Sequence, residues 1–487
     1  MNLLKKHKYL FFFLYIFIGI LTFSPVISFL VSLISLIPLF YFLFLQKNLK
    51  SSIKISFYAG FGFYLANSYW MFRFTVAGII MVALYLSIFW ILISIIFYYL
   101  KNKRYFLFYL PLAWTILEII RGYGKLGYSW GEIGYASFNS TYFLNLSAIG
   151  GVHLLTFIIV TINLLITIYL YKKNPKYIYS AGIILLVSII LGSIIFYNKK
   201  PKSRKYLNIA MVQPSINLYE KWDKEFIDAM MKEYYKLGIG HSQKTDLVIW
   251  PETAFVNGIL NYKLDRETIR SILKDQKSKA AHLVGTSLRK NYKNYNSLFL
   301  VDRFGNYDYY SKIKLVPVSE YLPLKEHLDF LLDIYPIQYL LERGENYKVF
   351  KLSNVSFSGI ICFESIFPQF FNKFIENGAE FFVVSTNDGW FYNTLVPYQH
   401  LMISKVRAVE YNRYVAHCAN SGISAIITNR GKILRKLGEM KKGVVEGKVY
   451  SINKKSFYYY IKDSYWLIFL LTAFFLFLYE RYFLKKE

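Results

Sequence analysis

The 487-residue chain is poor in cysteine and in acidic residues. Its two cysteines, Cys362 and Cys418, are too few for a disulfide scaffold or a four-cysteine metal site. Only 30 Asp and Glu residues face 58 Lys and Arg residues, so the formal net charge is +28. The mean hydropathy is nevertheless +0.30, which excludes a disordered basic protein because disorder requires low hydrophobicity. The location of the charge must then decide between a nucleic-acid partner and basic loops beside membrane spans.

Long apolar runs fill the first 200 residues, and a bilayer core needs about 20 apolar residues per helix. The first run could be a cleaved signal peptide, because Lys5, Lys6 and Lys8 precede it. Another apolar run follows at once without an A-x-A cleavage site, which favours an uncleaved span. We predict eight spans, at 9–24, 26–46, 55–75, 77–99, 105–121, 147–171, 178–197 and 464–484.

The basic residues of the short loops are distributed unevenly between the two sides that these spans define. The loops that hold Lys47, Lys101 and Lys172, with the tail that holds Lys485, carry most of them. This is the positive-inside pattern, and it predicts that both termini lie in the cytoplasm. The segment 205–452, between spans seven and eight, would then lie outside the cytoplasm. Because much of the excess charge lies beside the spans, a nucleic-acid partner is an unnecessary explanation.

Residues 205–452 alternate short β-rich runs with helical stretches, a pattern typical of an α/β layered domain. We therefore expect a membrane domain with seven transmembrane helices (1–204), an extracytoplasmic domain (205–452), and a C-terminal transmembrane helix with a short cytoplasmic tail (453–487). The predicted strands are 208–213, 247–250, 282–287, 297–301, 357–362, 381–385, 415–416 and 423–428, and helices are expected at 220–237 and 398–412.

Polar residues mark the ends of several predicted strands, where α/β folds tend to place their sites. Glu252 follows a strand and a proline, Lys312 precedes a turn that contains Pro317, and Cys362 closes a third strand. Taken singly, these residues are explained as well by a strand cap, a surface charge and a small buried residue. Each position alone is therefore weak support for a site.

Together, in this order and 60 and 50 residues apart, Glu252, Lys312 and Cys362 resemble the Glu-Lys-Cys triad of the nitrilase superfamily. The residue types suit nucleophilic catalysis. A cysteine attacks as thiolate and needs a base or a cationic neighbour. A carboxylate can take the proton, and a fixed ammonium can stabilise the oxyanion of a tetrahedral intermediate.

The spans on both sides of this domain narrow the resemblance to the apolipoprotein N-acyltransferase family, the membrane-bound members of that superfamily. The chain departs from the family's usual pattern at Ser319 and at Phe363, where the family often has Gly and Tyr, and neither position belongs to the triad. The stretches that carry the resemblance are 221–223, 250–254, 312–320, Cys362 with Glu364, 385–391, 399–400, 407–410, 420–422 and, in the membrane half, 121–122 and 131–135.

The resemblance implies a polytopic α-helical membrane domain joined to a nitrilase-like αββα sandwich, with no cofactor and no metal. Cys362 would take an acyl chain from the sn-1 ester of a phospholipid, typically phosphatidylethanolamine, as a thioester. It would then pass the chain to the α-amine of diacylglyceryl-cysteine at an apolipoprotein N-terminus. The protein would lie in the bacterial inner membrane, with its catalytic domain in the periplasm. The implied roles are Glu252 as base, Lys312 as oxyanion stabiliser, Glu320 and Glu364 as supporting residues, and Trp222, Trp390 and Phe391 as substrate-binding residues.

Two other functions stay open at this point. A membrane-tethered amidase of the nitrilase type, acting on a small amide, would use the same triad, although the many spans favour lipid substrates. A transporter or scaffold with a binding domain would need no triad, and few charges inside the spans mark a translocation path.

Overall fold

The computed structural model describes residues 2–73, 75–198, 205–216, 233–234, 236–238, 244–255, 279–317, 319–322 and 340–482. The chain divides into two compact units, Met1–Asn198 with Ser456–Glu487, and Lys199–Lys455. The described part of the first, the helical unit, is built from helices, whereas the second, the sheet unit, contains the described strands. Most of the helix predicted at 220–237 lies outside the described residues.

The described helices begin at capping side chains where the sequence supplies them. Asn48 accepts a hydrogen bond from the backbone N–H of Ser51 (2.9 Å), and Thr75 does so for Gly78 (3.2 Å). In chain order the helices are α1 Asn2–Thr22, α2 Ser28–Ser32, α3 Ile37–Leu45, α4 Leu49–Asn67, α5 Val76–Leu100, α6 Phe106–Arg121, α7 Thr141–Leu144, α8 Ser147–Lys172, α9 Lys176–Asn198, α10 Pro368–Glu376, α11 Val396–Glu410, α12 Phe457–Ile461 and α13 Tyr465–Tyr482.

Apolar helices long enough to cross a membrane occur in the helical unit, as expected of a membrane protein. Among the described residues there are five such segments, Ser28–Leu45, Val76–Leu100, Ser147–Lys172, Lys176–Asn198 and Tyr465–Tyr482, and a shorter apolar helix covers Tyr9–Thr22. The other two predicted spans fall on α4, which contains two lysines, and on α6, which has 16 residues. The number of eight spans therefore stays a prediction.

The span predicted at 55–75 was misplaced. Helix α4 begins earlier, at Leu49, and ends at Asn67, and a 3₁₀ helix at Tyr69–Arg73 follows it. Asn67 turns its side-chain amide back to the carbonyl oxygen of Phe63 (2.9 Å), a local contact that competes with the helix. Hydropathy shows the apolar residues on both sides of Asn67, but it does not show that the helix ends there.

The C-terminal helices are held to the rest of the helical unit by a bend in α8 and by polar contacts of His153. At the bend Gly151 has a φ of +67°, and a Cβ there would lie 2.6 Å from the ring of Tyr458 on α12. His153 places Nδ1 2.9 Å from Asp463 Oδ1, just before α13, and Nε2 3.6 Å from Glu132 Oε2. At position 151 only glycine fits the positive φ and the close approach of the Tyr458 ring without strain.

Two six-stranded sheets form the sheet unit, in the orders β12-β1-β2-β3-β4-β5 and β11-β10-β9-β8-β7-β6. In each sheet three neighbouring strands are parallel, β1, β2 and β3 in one and β7, β8 and β9 in the other, and antiparallel strands flank them. The strands are β1 Tyr206–Gln213, β2 Leu247–Ile249, β3 Ala281–Lys290, β4 Lys293–Val301, β5 Tyr307–Ser311, β6 Phe350–Leu352, β7 Val355–Ile361, β8 Phe381–Thr386, β9 Tyr414–Ala419, β10 Ser424–Ile427, β11 Ile433–Leu437 and β12 Gly443–Tyr450.

The two sheets pack face to face. A Cβ on Gly359 of β7 would lie 2.4 Å from Leu298 Cδ1 of β4, which shows how closely the layers approach. On the outer face of the second sheet, the ring of Phe371 on α10 packs against Phe382 of β8 at 4.9 Å between centroids. Strands β8 and β9 are buried along their whole length because they are covered on both faces. The described residues thus show sheet, sheet and helix layers of an α/β sandwich.

Candidate active site

Cys362 lies at a sharp turn directly after β7. It opens the 3₁₀ helix Cys362–Ile366 and has a φ of +49°, an unusual conformation for a residue with a side chain. The backbone N–H of Ile361 donates to Glu364 Oε2 (2.9 Å), which closes the turn. A strained residue that the surrounding structure holds in place is a common feature of functional sites.

The Cys362 thiol is protonated at neutral pH. Burial raises its pKa well above the ordinary range, and the carboxylates of Glu252 and Asp388 add to the rise. The ammonium of Lys312 and a hydrogen bond with Thr386 act in the opposite direction. Because the thiolate is the nucleophilic form, attack by this sulfur needs a base that takes its proton.

Glu252 lies in the turn that follows β2, and its side chain is only 8% exposed. Its Oε1 accepts a hydrogen bond from Asn296 Nδ2 (2.7 Å), and its Oε2 accepts one from the backbone N–H of Asn387 (2.9 Å). Asn296 belongs to β4 in the first sheet, and Asn387 follows β8 in the second. The carboxylate is therefore fixed between the two sheets.

Lys312 directly follows β5 and is 1% exposed. Its Nζ donates to Glu320 Oε1 (2.7 Å) and lies 3.6 Å from Glu252 Oε1. Burial would lower the pKa of Lys312, but the carboxylates of Glu320 and Glu252 outweigh it and raise that pKa above the ordinary value. A permanently charged ammonium thus lies beside the carboxylate of Glu252.

Glu320 and Glu364 orient the two loops that carry these groups. Glu320 Oε2 accepts the backbone N–H of Val316 (2.8 Å), so the same carboxylate holds both the loop and Lys312. Glu364 Oε1 accepts the N–H of Ile313 (2.6 Å), while its Oε2 accepts that of Ile361. Glu364 therefore connects the neighbour of Lys312 to the neighbour of Cys362.

The remaining predicted site residues are placed differently. Trp390 and Phe391 lie in the 3₁₀ helix Asp388–Phe391, and Trp390 is 42% exposed. Trp222 lies outside the described residues. Cys362 and Cys418 are both free thiols, and Cys418 is buried, with Sγ 3.6 Å from the carbonyl oxygen of Ile249. The described residues thus bring Lys312 within 3.6 Å of Glu252, place both groups where they shift the pKa of Cys362, and leave Trp390 at the surface.

Several polar residues of the site were not assigned a role from the sequence. Asn296 and Asn387 fix Glu252. Asp388, His400 and His417 form a buried cluster, in which one side-chain nitrogen or oxygen atom of each residue lies within 4.8 Å of those of the other two. One carboxylate and two imidazoles can bind a transition metal. The cluster is also hydrogen-bonded within itself, since His400 Nδ1 lies 2.9 Å from Asp388 Oδ1. Asp388 and His400 lie in the stretches 385–391 and 399–400 that carry the family resemblance, and these were the sequence signal for the cluster.

Gly285 on β3 allows the turn that carries Glu252 to approach the sheet. A Cβ at Gly285 would lie 2.2 Å from the carbonyl oxygen of Pro251 and 2.7 Å from Glu252 Cα. We expect Gly285→Ala to destabilise the fold by about 1–3 kcal/mol, as overpacking does. It should also slow iodoacetamide alkylation of Cys362 by about 10-fold, because displacing a reacting group by 1 Å can slow a reaction by about 10²-fold.

Thermal unfolding and the alkylation rate measure both effects of Gly285→Ala. Gly438→Ala is the matched control, because a Cβ there meets only the Lys441 side chain, at 3.7 Å. Equal behaviour of the two variants would contradict the close approach at Gly285.

Known proteins match the chain in both units. The carbon-nitrogen hydrolase model matches residues 208–451, about half of the chain, and the model of the apolipoprotein N-acyltransferase N-terminal domain matches residues 17–165. Relatives named apolipoprotein N-acyltransferase occur in Wigglesworthia glossinidia brevipalpis (28% identical over 89% of this chain and 90% of the relative) and in Rickettsia prowazekii (28%, over 88% and 89%). The Rickettsia typhi relative is 29% identical over 88% of this chain and 89% of its own. The chain therefore belongs to the carbon-nitrogen hydrolase family and, within that superfamily, to the apolipoprotein N-acyltransferases.

Proposed function

We propose that the chain is a membrane N-acyltransferase that carries an acyl group on Cys362 from a phospholipid to the N-terminal amine of a lipoprotein. The observation that carries the proposal is the buried pair of Glu252 and Lys312, 3.6 Å apart, which acts electrostatically on the strained Cys362. The match of the apolar helical unit to the N-terminal domain of the family supports lipid substrates.

In the first half-reaction the acyl group moves from the phospholipid to sulfur. Glu252 takes the proton from Cys362 Sγ while the sulfur forms a bond to the carbonyl carbon of the ester. The carbonyl oxygen becomes an oxyanion, which Lys312 stabilises. When the intermediate collapses, the ester C–O bond breaks, and the lysophospholipid alkoxide leaves with the proton held by Glu252. The products are a thioester on Cys362 and a lysophospholipid.

In the second half-reaction the lipoprotein amine attacks the same carbonyl carbon. Glu252 accepts a proton from the amine as the C–N bond forms, and Lys312 again faces the oxyanion. The C–S bond breaks, the sulfur of Cys362 regains a proton from Glu252, and the amide leaves. The geometry is suited to both steps because one base and one cation serve the same carbon.

The substrates are those that the family resemblance implies. The donor is the sn-1 ester of phosphatidylethanolamine, and the acceptor is the α-amine of diacylglyceryl-cysteine in an apolipoprotein. Both are anchored in a bilayer. The exposed ring of Trp390, two residues after the buried Asp388, supports contact of acyl chains with this part of the site, and Phe391 continues the same apolar surface.

The protein resides in a bacterial membrane, and we place its sheet unit in the periplasm. The support is the distribution of Lys and Arg, which predicts cytoplasmic termini if eight spans are present. A long domain between the last two spans is then extracytoplasmic, where lipoproteins receive their third acyl chain in this scheme.

An amidase acting on a small soluble amide is the second candidate. It would use the same Glu252, Lys312 and Cys362. The apolar helices oppose it, because an enzyme for a soluble amide has no need of five potential membrane spans.

Incubation of the purified protein with labelled phosphatidylethanolamine tests the proposal. We expect an acyl adduct on the Cys362 peptide, detected by mass spectrometry, which hydroxylamine removes as it does a thioester. Addition of a diacylglyceryl-cysteine peptide should discharge it as an amide. Phosphatidylethanolamine labelled at sn-2 serves as the control for the position of the ester. Hydrolysis of small amides without any acyl adduct would support the amidase instead.

A further inference from the structure

The strained turn at Cys362 needs contacts that hold its backbone, and helix α11 supplies them. His400 Nε2 lies 3.2 Å from the carbonyl oxygen of Cys362 and 2.8 Å from Ser365 Oγ. Two helical turns further along α11, Arg407 donates from Nε to the carbonyl oxygen of Ser365 and from a terminal nitrogen to that of Ile366, each at 3.2 Å. One face of α11 therefore contacts the backbone carbonyl oxygens of Cys362, Ser365 and Ile366.

Asp388 orients the ring of His400. Burial would raise the pKa of Asp388, but the imidazole of His400 outweighs it and leaves that pKa below the ordinary value. An ionised carboxylate only accepts, so Nδ1 of His400, 2.9 Å away, must be the donor. The carbonyl oxygen of Cys362 also only accepts, so in a hydrogen bond between it and His400 the donor is Nε2.

We propose that Asp388 and His400 form a positioning pair, in which Asp388 holds the ring of His400 at Nδ1, and Nε2 of the same ring holds the carbonyl oxygen of Cys362 and keeps Sγ aligned with Lys312. The pair acts through the backbone of the nucleophile and does not touch the substrate. This inference rests on the proposed acyl transfer by Cys362.

His417 provides the matched control within the same cluster. Its Nε2 lies 4.0 Å from the other oxygen of Asp388, and its Nδ1 lies 2.8 Å from Ser404 Oγ. Burial, helped by the nearby His400, lowers the pKa of His417 to about 3, so this ring is neutral. It is as buried as His400 and contacts the same carboxylate, but its hydrogen bond leads away from the Cys362 turn.

The test compares His400→Gln, His400→Asn and His417→Gln in the full-length protein. The glutamine amide can reach the carbonyl oxygen of Cys362 as Nε2 does, whereas the shorter asparagine reaches only Asp388. In single-turnover acylation by phosphatidylethanolamine in mixed micelles, we expect His400→Asn to lower the limiting rate by about 10²-fold, the loss caused by misplacing a reacting group by about 1 Å. The half-saturating lipid concentration should not change. His400→Gln should recover most of the rate, and His417→Gln should slow acylation far less than His400→Asn does.

Alkylation of Cys362 by iodoacetamide separates this inference from the proposed function, because it needs no phospholipid. His400→Asn should slow alkylation, and His400→Gln should not. If the wild type is never acylated but the two variants still differ in alkylation, the proposed function fails and the positioning role stands. Equal rates for the Gln and Asn variants would overturn the positioning role. So would a stoichiometric metal ion in the purified protein that His400→Gln removes, because His400 would then be a ligand.

Discussion

Replacing Cys362 with alanine is expected to abolish both the acyl adduct and the transfer of acyl chains, while the protein still folds. The variant removes the sulfur on which the proposed thioester forms, and removal of a nucleophile can reduce the rate of an acyl-transfer enzyme by about 10⁶-fold. Alanine and cysteine tolerate the left-handed turn at φ +49° about equally, so the strain does not change. Adduct formation by mass spectrometry and thermal unfolding measure the two expectations.

Cys418→Ala is the control for this variant. Cys418 is the other cysteine, fully buried, and its Sγ lies 3.6 Å from the backbone carbonyl oxygens of Val212 and Ile249. It should lose a little stability and keep full acylation per folded molecule. Retention of acyl transfer by Cys362→Ala would exclude covalent catalysis and favour a binding or scaffold role.

The spacing of Glu252, Lys312 and Cys362 can be interpreted from sequence because Glu252 and Cys362 follow predicted strands and Lys312 precedes a turn that contains Pro317. The structure places Glu252 after β2, Lys312 after β5 and Cys362 after β7. Lys312 and Glu252 meet because β2 to β5 are consecutive neighbours in one sheet. Such local rules of strand ends and turns are visible in the order of residues alone.

The side chains that contact Glu252 and Cys362 cannot be predicted from the order of residues along the chain. Asn296 reaches Glu252 from β4, and His400 reaches Cys362 from α11, at sequence separations of 44 and 38 residues. Both contacts depend on the register of the strands and on the packing of helix against sheet. A buried asparagine within a strand, or a histidine within a helix, has no sequence pattern that tells a functional contact from ordinary burial.

Four strands also escaped prediction, for a physical reason that they share. All four are edge strands. Strands β5 and β12 lie at the two edges of one sheet, and β6 and β11 lie at the two edges of the other. Edge strands are only partly buried and carry charged residues, so their hydrophobic alternation is weak. The central strands β8 and β9 are buried throughout and give strong apolar runs, which the sequence analysis detected.

Lys312→Met should reduce single-turnover acylation of Cys362 by about 10²–10³-fold, the loss expected when one oxyanion donor is removed. A second effect acts in the same direction. Lys312 lowers the pKa of the Cys362 thiol, against the burial that raises it, so its loss leaves even less thiolate. Lys312→Arg should not restore the rate, because the planar guanidinium cannot replace a compact ammonium between Glu252 and Glu320.

The same variant should also lose stability, and this loss must be separated from the loss of rate. Without Lys312 the buried carboxylate of Glu252 and the partly buried carboxylate of Glu320 lose their cation, and breaking a buried pair destabilises a protein by about 3–5 kcal/mol. The double variant Lys312→Met with Glu320→Gln removes one of these charges. It should regain much of the thermal stability and none of the acylation rate.

Lys314→Met completes the comparison, because Lys314 is a half-buried lysine two residues away whose ammonium lies 5.0 Å from the centre of the Phe367 ring. It should acylate at nearly the wild-type rate. If the double variant regains its rate together with its stability, Lys312 serves the fold and not the oxyanion. If stability returns alone, the ammonium acts on the reaction itself, and the buried pair of Glu252 and Lys312 is retained for chemistry at a cost in stability.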